Sequence, residues 1–145
     1  MNSRRLPAAV LLALLAALVL ALPASAAVLA HLETDMGGKQ EVPGPGDPDG
    51  RGHADLKVFS AKVCYTLTAK RIAPATAAHI HQGRRGEAGP VVVTLKPPTD
   101  GSSSGCVAVS QALARDLREQ PKAYYINVHN EPFPDGAIRG QLERD

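Results

Sequence analysis

Alternation of apolar and polar residues governs most of the chain. Val28 to Thr34 alternates enough for a first strand. Gly44 to Gly52, rich in Gly, Pro and Asp, predicts a loop after Gln40-Glu41-Val42-Pro43. His53 to Phe59 and Lys62 to Thr68 each keep a period of two, and the Ser60-Ala61 link predicts a hairpin between them. Ala77 to Gln82 is a further strand, Gly83 to Gly89 a turn, and Pro90 to Leu95 a buried strand of β-branched residues. Lys96 to Gly105 is expected as a loop and Cys106 to Val109 as a short strand. Ser110 caps the one convincing helix, Gln111 to Gln120, with Leu113 and Leu117 on one face and Pro121 ending it. Ala123 to His129 returns to strand, Pro132 to Gly136 turns, and Ala137 to Leu142 closes the series. About eight short strands with Gly/Pro turns between them predict an all-β fold, an antiparallel sandwich or barrel with one short helix.

The N-terminus breaks this pattern. A basic start with Arg4 and Arg5, an apolar run from Ala8 to Leu22 and the Ala24-Ser25-Ala26 triplet together predict a secretory signal peptide over residues 1–26. The apolar run is shorter than the roughly 20 residues of a spanning helix, and Pro23 interrupts it. The expected mature domain is 27–145, secreted or held in the periplasm or cell envelope, with no transmembrane segment. Arg4-Arg5 hints at twin-arginine export, but Leu6-Pro7 does not continue that motif.

Removing the leader changes the charge balance. The whole chain has 16 Lys+Arg and 14 Asp+Glu. Arg4 and Arg5 lie in the leader, which holds no acid, so the mature domain has no net charge. A field that would gather nucleic acid is therefore absent. With three Tyr, two Phe and no Trp, base-stacking platforms are not expected either. Cys64 and Cys106 are the only cysteines. An even count in an oxidising destination predicts a disulfide, against the competing reading of two separate buried thiols.

Candidate chemistry lies in the histidines. His79 and His81 flank Ile80, so in a strand both imidazoles share one face and can reach one ion. His129 ends a strand whose alternate residues, Ile126 and Val128, face the other way. Three imidazoles suit copper, zinc, iron or nickel, and nitrogen-rich sites favour Cu(II). His31 and His53 are candidate fourth ligands, with a solvated surface role expected for both. Glu87, Glu131 and Asp135 lie near the histidine segments, as turn-solvating groups or as partners that orient a ring nitrogen. No nucleophile elbow, P-loop, dinucleotide fingerprint or His-Glu-x-x-His motif is present.

Gln40-Glu41-Val42-Pro43, Ala78-His79-Ile80-His81, Gly89-Pro90-Val91-Val92, Tyr124 to His129 and Gly136 to Leu142 occur in order. Together they closely resemble the CHRD domain, named from chordin, over about His31 to Leu142. The resemblance implies an extracytoplasmic β-sandwich module. Chordin's growth-factor antagonism does not carry over, because its cysteine-rich modules are missing here. Within these motifs Asn127, Arg139 and Glu41 are candidate supporting residues for the metal site. Alternation puts Arg139 on an exposed face, paired with a turn carboxylate.

The His-x-His also resembles copper/zinc superoxide dismutase. That enzyme needs further histidines and an aspartate soon afterwards, whereas here no histidine follows His81 until His129. The expected function is a non-enzymatic, exported module binding metal, copper favoured. The alternatives are a structural or adhesive module meeting an extracytoplasmic protein partner, or a weak dismutase-like redox enzyme on the same histidines.

Overall fold

The computed structural model describes residues 26–145; the signal-peptide expectation therefore lies outside the described residues, Ala26 apart. Among the described residues nine strands run as β1 (Ala30–Gly37), β2 (Arg51–Val58), β3 (Lys62–Lys70), β4 (Ala75–Gln82), β5 (Val91–Leu95), β6 (Ser102–Ala108), β7 (Tyr124–Asn130), β8 (Ile138–Gln141) and β9 (Glu143–Arg144). One α-helix, α1 (Gln111–Glu119), lies between β6 and β7. Among the described residues no helix is long and apolar enough to cross a membrane.

The strands pair antiparallel in the order β5-β4-β7-β8-β1-β2-β3-β6, with β9 beside β1. This is a nearly closed, barrel-like sheet. On one side its halves join through a single registered pair, Gly37 and Arg139. On the other, edge strands β5 and β6 are tied by side chains. The Lys96 amide donates to Tyr65 Oη at 2.8 Å, and Ser103 Oγ donates to the Lys96 carbonyl at 2.7 Å. The choice between sandwich and barrel thus resolves into two facing half-sheets joined at both edges.

Period-two alternation produces the core. In β2 Ala54, Leu56 and Val58 point inward, and in β3 Val63, Tyr65 and Leu67 do the same. Ile80, Ile126, Val128 and Ile138 cover the opposite half. Fully burying each such side chain is worth about 1.5–3 kcal/mol. Helix α1 begins as expected, with Ser110 Oγ accepting from the Leu113 amide at 3.1 Å. Its buried contacts are Ala114 and Leu117, with Leu113 at the margin.

Two boundaries differ most from expectation. β1 runs three residues further, to Gly37, because β2 pairs with it along its whole length. β6 begins at Ser102, where composition reads as loop, because β3 supplies a ladder partner for every residue from Ser102 to Ala108. In that ladder Cys64 faces Cys106, and the two form a disulfide with an S–S distance of 2.05 Å.

Candidate metal centre

Strands β4, β7 and β8 have a second, outward layer. In register across them, His81 meets Tyr125 and Tyr125 meets Gln141; His79 meets Asn127 and Asn127 meets Arg139; Ala77 meets His129. Loops close over this layer, the Gly83–Gly89 turn above His81 and the Pro132–Gly136 turn beside His129.

The structure brings His79, His81 and His129 together. One ring nitrogen from each lies within 4.8 Å of the others, and all three residues are half-buried. His81 Nδ1 is 2.8 Å from the Gly89 carbonyl and His129 Nδ1 is 2.9 Å from the Pro134 carbonyl. Each ring donates its Nδ1–H to that carbonyl, which fixes the tautomer and leaves Nε2 unprotonated. His81 Nε2 is buried and has no partner. His79 Nδ1 lies 3.1 Å from His129 Nε2. Two nitrogens bound to one ion at about 2.0–2.1 Å stand roughly 2.9–3.4 Å apart for inter-ligand angles from about 90° to tetrahedral. The pair already has that spacing. The donor set therefore fits a transition metal, with a buried orphan nitrogen as the strongest sign.

Burial, and then the neighbouring imidazoles, lower the pKa of His79. Burial also lowers that of His81, against the Gly89 carbonyl, which raises it. Both rings are thus held neutral, as ligation requires.

A stack supports the site. The His81 ring lies on Tyr125 at 4.7 Å between centroids and 8° between planes, and the Arg139 guanidinium lies over the Tyr125 ring at 3.4 Å. The Gly89 amide donates to Tyr125 Oη at 3.1 Å, pinning the turn whose carbonyl holds His81. The exposed-face expectation for Arg139 is corrected. It is 2 % exposed and donates through Nη2 to the Arg84 carbonyl at 3.0 Å. The Gly83–Gly89 turn covers the face that alternation assigns to water.

Asn127 and Glu41 are also in this layer. Asn127 Nδ2 donates to both Glu41 oxygens, at 2.8 and 3.0 Å, and its Oδ1 is buried without a partner. Burial pushes the Glu41 carboxyl up to about 7, against the lowering effects of the Asn127 bond and the Arg139 charge. The Glu87 carboxylate accepts from the Arg84 amide at 3.0 Å and closes its own turn.

Neither His31 nor His53 joins the three histidines. His31 is exposed on β1, opposite Lys57. His53 belongs to a second group, with Glu33 and Asp55, whose ligand atoms also lie within 4.8 Å of one another. Its Nδ1 is 2.8 Å from Asp35 Oδ1. Sequence reasoning missed this group because it needs the β1–β2 register, which sets Glu33 opposite Asp55 and Asp35 opposite His53. It also missed Tyr125 and the two carbonyls, since backbone acceptors leave no mark in a sequence.

Fold and site together define a small, disulfide-linked, all-β module whose outward layer can hold a metal ion. The model of the CHRD domain matches residues 32–142, and the chain belongs to that family. No curated protein and no solved structure matches the chain.

Proposed function

We propose that this CHRD-domain protein is an exported, non-enzymatic module that binds one transition-metal ion, copper first, through His79, His81 and His129. The observation that carries the reading is the buried, unpartnered Nε2 of His81, set beside a His79–His129 pair already at inter-ligand spacing. A ring nitrogen buried without a partner costs about 1–3 kcal/mol, which an ion offsets. Nitrogen donors place Cu(II) above Zn(II) on affinity. Tyr125, Arg139 and the two carbonyls orient the rings in this reading.

Titration of metal-free protein with Cu(II) tests it. One ion should bind per chain, with nitrogen coupling in the spin-resonance spectrum. Changing all three histidines to Ala should abolish that signal. Equal affinity in the triple variant would give the histidines a purely structural role and favour an adhesive module. Export has its own test: secreted material should begin at Ala27 or within a few residues, and a membrane-retained chain with Met1 intact would refute it.

A further inference from the structure

The Gln40–Pro43 motif is not explained by metal binding. Val42, Pro43, Gly44 and Pro45 form one wall of a cleft of about 270 Å³, and the Pro132–Gly136 turn forms the other. That volume is near the lower end for small-molecule sites, roughly 300 Å³. Glu41 lines the cleft and is only 9 % exposed.

Three features define the ligand. The charged groups lining the cleft are Glu41 and Asp135, both acidic. Phe133 and four prolines supply an apolar wall, and an aromatic face attracts a cation as well. Glu41 also makes no ion pair within 4 Å among the described residues. The cation acting on it is Arg139, whose guanidinium is committed to the Tyr125 ring and the Arg84 carbonyl. Asn127, the other group facing it, is neutral. A buried carboxylate without a contacting cation is costly, and a cationic ligand relieves that cost. The Gly136 backbone packs against the Glu41 carboxylate, where a Cβ would collide with Oε2.

We propose that the cleft between Glu41–Pro45 and Pro132–Gly136 is a binding site for a primary alkylammonium group, with Glu41 as counter-ion and Phe133 and the prolines packing its alkyl chain. The cleft shares the Pro132–Gly136 turn with the metal reading, through the Pro134 carbonyl on His129, so its test uses metal-free protein. An amide-resolved NMR titration with n-butylammonium should give saturable shifts centred on residues 41–45 and 133–136, where butanol and butyrate give none. Because the Glu41 carboxyl titrates near 7, affinity should be about tenfold weaker at pH 6 than at pH 8. Glu41→Gln should remove binding, and Asp135→Asn should weaken it several-fold. Nα-acetyl-lysine amide, its side-chain ammonium free, run in parallel distinguishes the source. Tighter binding than butylammonium assigns the site to a lysine of a polypeptide, and weaker binding to a free amine. Shifts that are absent, equal for butanol, or unchanged between pH 6 and pH 8 would overturn the proposal, and this last arm stands even if Glu41→Gln fails to fold.

Discussion

Replacing Glu41 by Gln should stabilise this protein at alkaline pH, although the residue is 9 % exposed and sits in a family motif. Desolvation raises its carboxyl from 4.5 to about 7. Below 4.5 the proton is present in folded and unfolded chains alike, so the group contributes no pH dependence. Between 4.5 and 7 the folded protein keeps a proton that the unfolded chain releases, so stability falls as pH rises. Above 7 the full cost persists, about 3 kcal/mol at 1.36 kcal/mol per pH unit. The variant's amide carries no charge. Its oxygen still accepts from Asn127 Nδ2, and its NH2 takes the place of the second oxygen that this nitrogen contacts. About 3 kcal/mol in a domain of this size corresponds to a rise of roughly 12 °C in Tm. Thermal melts of parent and variant from pH 5 to pH 9, in chelator, read the effect directly. The gap should be smallest at pH 5, widen up to pH 7, and stay constant above pH 8. Parallel profiles would show that Glu41 titrates as an ordinary carboxylate and that Arg139 offsets its burial.

Loss of the disulfide in a Cys64→Ala, Cys106→Ala variant removes a link across a sequence separation of 42, worth about 4 kcal/mol in the chain-entropy model. Tm should fall by roughly 16 °C by calorimetry, and a fall under about 4 °C would contradict that account. Because burial lowers the pKa of His79 and of His81, Cu(II) affinity measured by competition should persist down through pH 7 and fall on further acidification. A drop starting above pH 7 would refute that. Asp35, and more weakly Asp55, raise the His53 pKa. The stability this contributes is present below 6.5 and lost as pH rises through the raised value, and on so exposed a pair it is a few tenths of a kcal/mol. Proton NMR should find the His53 pKa returning toward 6.5 in Asp35→Asn, and an unchanged value would exclude that pairing.

Local pattern alone determined much of this protein. Alternation in β2, β3 and β7 marked the core, Ser110 and Pro121 bounded the helix, and His79-Ile80-His81 put two imidazoles on one face. These depend on neighbours one to four residues apart, so the sequence carries them. The tertiary structure decided which outward positions meet water. Alternation treats every outward residue alike, yet the Gly83–Gly89 turn and the Glu41–Pro45 segment fold over β4, β7 and β8. They bury Arg139, Asn127 and Glu41 in a polar layer. The ladder with β3 likewise turned Ser102–Gly105 from loop into strand, and the β1–β2 register gathered Glu33, Asp35, His53 and Asp55. Burial and register arise from contacts between residues far apart in the chain, and a period of two cannot encode them.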